Sequence, residues 1–189
     1  MTTALTPDLV QTLEGTWDID PSHTEVAFAI RHLMVSKVRG TFNEFSGSFV
    51  VGDSLATSGV EAGIDLASID TNNADRDAHL RNADFFDVAN HPTMTYRSTG
   101  LRADGDDYVV DGELSLHGVT KPVSLHLEVI GYLPQSPFGD TRVGFSATAE
   151  IDRRDFDLHF NAPLEGGGVA LGHKVQIALE VEAIKRSEA

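Results

Sequence analysis

The chain lacks several patterns that would assign it to a redox compartment or to a membrane. It has no cysteine among its 189 residues, so disulfides and thiolate metal sites are excluded and thiols do not indicate the compartment. No stretch approaches the roughly 20 apolar residues that a membrane-spanning helix needs. The segment from Met1 to Gly15 has neither a basic part nor an apolar run followed by small residues, as a secretory signal would. We therefore expect a cytoplasmic protein without an integral membrane segment.

Positive charge is also scarce. The chain has 14 Lys and Arg residues against 29 Asp and Glu residues, which gives a formal net charge of -15. Nucleic acids and anionic membrane surfaces attract clustered basic residues, and the conspicuous pair Arg153-Arg154 is followed at once by Asp155. The charge therefore argues against both partners, and the acidity itself is typical of a solvated surface.

The pattern that dominates the chain is alternation with a period of two. Val26, Phe28 and Ile30 fall on one face of a predicted strand, and the residues between them fall on the other. Four later segments alternate in the same way: Tyr108 to Leu116, Leu125 to Val129, Val143 to Ile151, and Val175 to Val181. Strands with one apolar and one polar face are typical of an antiparallel sheet that is packed on one side.

The alternation changes phase between Gly40 and Val51. Phe42 has one parity, whereas Phe45 and Phe49 have the other. A β-bulge near Asn43-Glu44 would return all three rings to the same side of the sheet. Such bends are typical of sheets that curl toward closure.

Signals for helices are few. The segment Asp75 to Asn82 predicts two helical turns, with Asn72 or Asn73 as the N-cap. A short helix is also predicted at Pro7 to Leu13, within an N-terminal arm. Leu33 to Ser36 is interpreted as a single turn between strands.

Many long strands with few helices to cover them must bury their apolar faces against each other. The sheet can close on itself or pack against a second sheet. The sequence favours an all-β fold, an extended eight-stranded antiparallel β-barrel with one or two short helices, and a β-sandwich is the competing architecture. Residues 1–14 are predicted to form the arm and residues 15–189 a single domain.

Motifs for catalysis or metal binding are weak. Asp75 and His79 lie one helical turn apart, but charges at this spacing more often pair along a solvated helix. His91 and His117, which sit beside proline and glycine, are interpreted as turn residues. The glycines at 166–168 lack the spacing of a phosphate-binding loop, and no nucleophile elbow is present. We therefore predict no catalytic residues, no metal and no cofactor.

Four stretches together resemble the YceI-like family of polyisoprenoid-binding proteins. They are WDIDPSHTEVAFAIRHLMVSKVRGTF (Trp17 to Phe42), DRDAHLRNADFFDVANHP (Asp75 to Pro92), GELSLHGVTKPV (Gly112 to Val123) and GFSATAEIDRRDF (Gly144 to Phe156). The resemblance covers about Gly15 to Ala183. It implies a lipocalin-like barrel with a long apolar pore, a bound polyisoprenoid or similar long chain, and often a homodimer. The sequence departs from the family at Asp157, where the resemblance predicts a glycine.

The resemblance and the strand parity together predict the residues of a lipid site. The side chains expected to line the tube are Val26, Phe28, Ile30, Phe42, Phe45, Phe49, Met94, Tyr96, Leu114, Leu125, Leu127, Phe145, Ile177 and Leu179. Phe85 and Phe86 are expected to cover it, and His32, His79 and Arg81 to lie at the head-group end.

The predicted function is to hold a polyisoprenoid, quinone-like or fatty-acyl chain for transport, storage or sequestration. Each buried CH₂ contributes about 0.8 kcal/mol, so a five-carbon isoprene unit offers roughly 3–4 kcal/mol. A few units offset an association cost of order 4–15 kcal/mol, and no polar motif is required. Two alternatives stay open. One is a metal-assisted hydrolase or isomerase that uses Asp75 to Arg81, and the other is a stress-response protein with a filled barrel.

Overall fold

The structure, a computed structural model, describes residues 7–105, 107–165 and 167–187. Within those ranges it has two α-helices, α1 (Pro7–Leu13) and α2 (Ala74–Arg81). Its strands are β1 (Gly15–Ile19), β2 (Glu25–His32), β3 (Ser36–Phe42), β4 (Phe45–Val51), β5 (Gly59–Asp65), β6 (Ile69–Asp70), β7 (Thr93–Asp104), β8 (Asp107–Leu116), β9 (Val119–Leu133), β10 (Arg142–Asp152) and β11 (Leu171–Lys185). Neither helix in this described part is long and apolar enough to cross a membrane.

These strands form a closed eight-stranded antiparallel barrel. Both β1 and β2 pair with β11, β1 near its C-terminal end and β2 near its N-terminal end, so the two act as one long strand that closes the sheet. The segments β3 with β4, and β5 with β6, form the next two long strands, and β7 to β10 complete the ring. The predicted barrel is confirmed, because the last strand pairs with the first and leaves no second sheet.

The predicted change of phase lies at Asn43 and Glu44, where the strand is interrupted. β3 ends at Phe42, which pairs with Ile69, and β4 begins at Phe45, which pairs with Ile64. Between these two pairs, the partner chain has more residues (65–68) than the chain from β3 to β4 (43–44). The interruption turns both rings toward the barrel interior.

Helix α1 closes one end of the barrel. Leu13 is 2% exposed and Trp17 is fully buried, and the indole Nε1 of Trp17 donates to the Leu13 carbonyl at 2.8 Å. The Trp17 ring stacks on Phe49 with 5.9 Å between ring centroids. The predicted arm is therefore packed against the barrel from α1 onward, and residues 1–6 lie outside the described ranges.

Helix α2 crosses the opposite end. Its N-cap is Asn73, as predicted, whose side chain accepts from the Arg76 amide at 2.9 Å. The buried carboxylate of Asp77 accepts from the Thr71 amide at 2.9 Å and from the Thr71 hydroxyl at 2.5 Å. These bonds tie the first turn of α2 to the end of β6.

The β2–β3 hairpin also projects at the α2 end. Its tip contains Leu33 and Met34 with φ values of 50° and 60°, a left-handed conformation that bulky residues rarely adopt. The predicted turn at Leu33 to Ser36 is therefore a tight reversal between two paired strands.

Candidate ligand-binding interior

The barrel interior contains two chambers that meet at its middle. The α1 chamber lies toward α1, has a volume of about 230 Å³ and is lined by residues such as Leu13, Phe49 and Leu127. The α2 chamber lies toward α2, has a volume of about 330 Å³ and is lined by residues such as Phe28, His79 and Arg153. Four residues line both chambers: Val26, Met94, Leu114 and Ile177. The two chambers are therefore neighbouring parts of one tube.

The α1 chamber offers a ligand almost no free polar group. Among the described residues, no charged side chain lines it. The Tyr96 hydroxyl lies 3.0 Å from the carbonyls of Val110 and Val123 and donates to this wall, and burial raises the pKa of Tyr96, with a smaller contribution from the charge of Asp111. The Ser98 hydroxyl accepts from the Val60 amide at 2.8 Å. The hydroxyls of Tyr96 and Ser98 are therefore occupied by the protein itself.

The α2 chamber has a different character, because basic side chains enter its lining. Arg76 and His79 come from α2, His32 ends β2, and Arg153 follows β10. No Asp or Glu lines this chamber among the described residues. Inside this chamber, an anionic group would therefore meet only neutral or positive side chains.

Arg153 is the most deeply buried of these side chains, with 4% of its surface exposed. Its Nε donates to the Gly172 carbonyl at 2.9 Å, and its Nη1 donates to the carbonyls of Phe160, at 2.9 Å, and Leu158. The third nitrogen, Nη2, is buried and has no hydrogen-bond partner among the described residues. Burial lowers the pKa of Arg153, although an arginine remains charged in proteins.

Aromatic rings surround His79 at the mouth of the α2 chamber. Its ring centroid lies 5.0 Å from that of Phe85 and 5.0 Å from that of Phe160, both in edge-on geometry. Its Nε2 lies 2.9 Å from Oδ2 of Asp84. Phe160 keeps 37% of its surface exposed, so this cluster covers the chamber without sealing it.

The structure places nearly all the predicted site residues on this interior. In the α1 chamber lie Phe45, Phe49, Tyr96, Leu125, Leu127, Phe145 and Leu179. In the α2 chamber lie Phe28, Ile30, His32, Phe42, His79, Phe85 and Phe86. With the four shared residues, 18 of the 19 line the tube, and their contact with a ligand stays a prediction.

Arg81 is the exception. Its Nε donates to the Ala67 carbonyl at 2.8 Å and its Nη2 to the Ile69 carbonyl at 2.9 Å. Leu80 is in the α2-chamber lining, and the next helical residue points about 100° away from it. Arg81 therefore holds the segment before α2 in place and is absent from the predicted head-group end.

Sequence reasoning did not single out Arg76, Arg153 or Phe160. Arg153 and Arg154 are adjacent and chemically identical, yet Arg154 is half-exposed and pairs with Asp152 at 2.6 Å. In space, the two residues are distinguished by the three carbonyls that Arg153 meets. The signal available in the sequence was parity, because Phe145, Ala147 and Ile151 face the interior and Arg153 continues their alternation whereas Arg154 does not.

Groups that could hold a metal lie elsewhere than at Asp75 and His79. Among the described residues, the candidate ligand atoms of Asp87, His91 and His117 come within 4.8 Å of one another. The His117 Nδ1 lies 3.2 Å from the Phe156 carbonyl. A second group consists of Asp20, His23 and Glu182, and its Asp20 carboxylate already pairs with Arg142. The described segment Asp75 to Arg81, on which the enzyme hypothesis depends, therefore contains no such group of three candidate metal ligands.

A closed antiparallel barrel with an apolar tube and a helix at each end defines a lipocalin-like protein. Residues 17–183 match the YceI-like domain, and the chain belongs to the YceI-like family. The Protein YceI of Escherichia coli O157:H7 is 42% identical over 142 residues, which are 75% of this chain and 74% of that protein.

Solved structures share this fold. The Campylobacter jejuni YceI protein superposes with a TM-score of 0.68 at 28% identity, covering 84% of this chain and 91% of that one. A Saccharophagus degradans domain, described as polyisoprenoid binding and implicated in plant cell wall breakdown, has a TM-score of 0.65 at 18% identity, with 90% and 98% covered. At that identity the second likeness shows the fold alone.

Proposed function

We propose that this protein binds one long-chain lipid, a polyisoprenoid, quinone-like or fatty-acyl chain, along the barrel axis. The observation that carries the proposal is the pair of adjoining apolar chambers, about 230 and 330 Å³, that share four lining residues. Small-molecule sites are typically 300–1,000 Å³ and mostly apolar. The role is to carry, store or sequester the lipid, and the protein is not an enzyme.

The size of the chambers argues against a filled barrel. Residual cavities in protein cores cost roughly 24 cal/mol per Å³, so chambers of about 230 and 330 Å³ would cost roughly 6 and 8 kcal/mol if they were sealed, dry and empty. The net stability of a domain is only about 5–15 kcal/mol. A bound chain removes this cost and gains about 0.8 kcal/mol for each buried CH₂.

Membership of the YceI-like family supports the same class of ligand, because the resemblance implies a polyisoprenoid or similar chain. A domain described as polyisoprenoid binding has the same fold, and that likeness supports the barrel that such a site needs. The homodimer implied by the resemblance and the cytoplasmic location are further proposals. Light scattering of the purified protein and fractionation of the producing cells test them.

Native mass spectrometry of the purified protein, with mass analysis of its organic extract, tests the proposal directly. We expect about one long-chain lipid per chain. No extracted lipid and no binding of added polyprenyl ligands would favour the filled barrel. A stoichiometric metal in protein purified without added ions would favour the enzyme.

A substitution at Phe28 tests the position of the ligand. Phe28 lines the α2 chamber and lies 5.7 Å from the Phe42 ring. Phe28→Ala should weaken the binding of a fluorescent polyprenyl ligand more than it lowers the free energy of unfolding. Ile130→Ala, at a site that is 52% exposed, is the control and should change neither. A large loss of stability with unchanged affinity would place the ligand elsewhere.

A further inference from the structure

Among the described residues, no carboxylate forms an ion pair with Arg153, and Asp152 acts on its charge only through space. The carboxylate of the preceding residue, Asp152, accepts from Arg154 Nε at 2.9 Å and Nη2 at 2.6 Å, and that bidentate pair uses both of its oxygens. The three hydrogen bonds of Arg153 go to neutral backbone carbonyls. A buried cation without an anionic partner is unfavourable, so an anion in the α2 chamber would stabilise the charge of Arg153.

The guanidinium is also held in a fixed direction. With Nε and Nη1 bound to the loop 158–160 and to the start of β11, Nη2 is the buried nitrogen without a protein partner in the described part of the chain. Arg76 is held in a similar way, since its Nε donates to the Thr71 hydroxyl at 2.7 Å and its Nη2 to the Thr71 carbonyl at 2.7 Å. The two arginines differ in burial, and Arg153 is the one whose unpartnered nitrogen is buried.

We propose that Arg153 binds an anionic oxygen, phosphate or carboxylate, on the head group of the lipid, and that the tail runs into the α1 chamber. This inference rests on the proposed lipid-binding function and adds the class of head group and the orientation of the chain. The uncharged α1 chamber suits the hydrocarbon end. The basic lining of the α2 chamber suits the charged end.

A series of ligands with equal chain length tests the head group in the wild-type protein. The probes are geranylgeranyl monophosphate, geranylgeraniol and the C20 hydrocarbon phytane. A charge-assisted hydrogen bond should favour the phosphate over the alcohol by roughly 10- to 100-fold. Equal binding of all three would overturn the head-group assignment and leave lipid binding intact, whereas binding of none would overturn the proposed function itself. Arachidic acid, a C20 carboxylate, distinguishes carboxylate from phosphate recognition.

Two neighbouring substitutions assign the preference to one side chain. Arg153→Met should abolish the preference for the charged head while phytane still binds. Arg154→Met, at a half-exposed site, is the matched control and should keep the preference. An unchanged preference in folded Arg153→Met would overturn the assignment to Arg153. If Arg153→Met fails to fold, the ligand series in the wild-type protein still tests the preference for an anionic head group.

The single tryptophan of the chain reports the orientation. Trp17 stacks on Phe49, which lines the α1 chamber. A fatty acid brominated at its terminal carbon should quench Trp17 fluorescence, and the same acid brominated beside the carboxylate should not. The opposite result would reverse the proposed orientation.

A separate observation concerns the tip of the β2–β3 hairpin, Leu33-Met34-Val35. These three side chains are 39%, 63% and 81% exposed, and the Leu33 amide donates to the Ala170 carbonyl at 2.8 Å. The preceding residue, His32, lines the α2 chamber. An exposed apolar tip therefore stands beside the end of the tube that would hold the head group.

Basic residues flank this tip on the outer face. Arg31 pairs in register with Lys37, and Arg39 pairs with Ala29. Like charges directly opposite each other are unfavourable, and neither arginine forms an ion pair within the described ranges. No acidic residue occurs between Glu25 and Glu44. The expectation drawn from net charge alone therefore missed a local basic patch that strand pairing assembles.

We propose that this hairpin tip docks on an anionic bilayer surface. Apolar side chains that enter the interface, flanked by cations that meet anionic lipid, are a recognised means of peripheral attachment. The patch is positive on a chain of net charge -15, so attachment would orient the molecule with the α2 end toward the membrane.

Co-sedimentation with vesicles tests this second proposal. The wild-type protein should bind vesicles of phosphatidylcholine with phosphatidylglycerol more strongly than vesicles of phosphatidylcholine alone. Arg31→Gln with Arg39→Gln should lower binding to the anionic vesicles roughly 30-fold, and Met34→Ser with Val35→Ser should lower binding to both kinds of vesicle. Phe138→Ser, which removes a ring that is 79% exposed at the opposite end, is the control. Equal binding by all variants would overturn the proposal. It would also be overturned if the wild-type protein were a dimer and the double variant Met34→Ser, Val35→Ser were a monomer, because the tip would then bind a second copy of the chain.

Discussion

At one end of the barrel Trp17 and Leu13 are 0% and 2% exposed beneath α1, whereas at the other end Phe160 keeps 37% of its surface exposed beside α2. The α1 end is closed by α1 and by large side chains that are almost fully buried. The α2 end is closed by an aromatic cluster around His79 and by polar groups. The comparison agrees with the proposal that the head group binds at the α2 end.

Backbone strain divides in the same way. The described non-glycine residues with positive φ are Leu33, Met34, Asn72, Asp87, His117 and Asp157. All of them lie in the turns or connections at the α2 end, whereas the tight turn between β7 and β8, at the α1 end, uses Gly105. Strained backbone tends to gather at functional sites, so this asymmetry agrees with a binding site at the α2 end.

The largest effect should come from removing the packing at the α1 end. Trp17→Ala should lower the free energy of unfolding by about 3–5 kcal/mol, because a fully buried indole is lost. Phe160→Ala should cost about 1 kcal/mol or less, because its ring is already partly exposed. Denaturant unfolding of both variants provides the measurement, and equal losses would show that the two ends do not differ in this respect.

Filling one chamber at a time should separate their roles in binding. β10 presents Ala147 to the α1 chamber and Ile151 to the α2 chamber. Ala147→Phe should weaken binding of C20 chains by roughly tenfold, the loss of about two buried CH₂ groups, and should spare C10 chains. Ile151→Trp should weaken both. Titrations with ligands of increasing chain length measure both effects. If Ala147→Phe weakened the binding of C10 and C20 chains equally, the lipid chain would not fill the α2 chamber before the α1 chamber.

Acidification should weaken the ion pairs on the outer surface of the α1 end and so lower the stability of the fold. Arg142 pairs with Asp20 at 3.0 Å and with Asp140 at 2.8 Å. The pKa of Asp20 is lowered, chiefly by its hydrogen bond with His23, and that of Asp140 is lowered, chiefly by Arg142. Because both folded-state pKa values lie below the unfolded ones, near 4, the carboxylates stabilise the fold above that pH. This stability is lost as the pH falls through the folded values.

Thermal unfolding between pH 6 and pH 3 measures this effect. We expect the Tm to fall on acidification, and Arg142→Gln to lower the Tm at pH 6 and to flatten the pH profile. Arg97→Gln removes an exposed ion pair with Glu61 and should leave the profile unchanged. An Arg142→Gln profile as steep as that of the wild type would assign the acid sensitivity to other groups.

The smallest effect should come from Asp157, where the family resemblance predicts glycine. Asp157 follows the short 3₁₀ turn Arg153–Phe156 and has φ of 58°. Asp157→Gly should change the free energy of unfolding by at most about 1 kcal/mol, toward greater stability, because glycine adopts this conformation without strain. Asp155→Gly, in the same turn with ordinary φ, should destabilise by about 0.5–1 kcal/mol. Chemical denaturation compares the two, and equal effects would contradict the role of φ.

The lining of the tube was predictable because parity is a local property. Alternation along β2 puts Val26, Phe28 and Ile30 on one face whatever the rest of the chain does. The interruption at Asn43 and Glu44 was visible for the same reason, as a change of phase. Arg81 was misplaced because the rotation of α2 about its axis depends on what it packs against.

The sequence by itself determined that the chain forms antiparallel strands with one apolar face and few helices to cover them, because strand periodicity, turn residues and the shortage of helices all act locally and agree. The pairing of β1 and β2 with β11 decided between the barrel and the sandwich. Only the tertiary structure decided which end of the tube carries charge. The buried Nη2 of Arg153 depends on carbonyls from residues 158, 160 and 172, and the basic patch at Arg31 and Lys37 depends on strand register. Both arise from contacts between separate segments of the chain, and the pattern of residues along one segment does not specify which other segment it will contact.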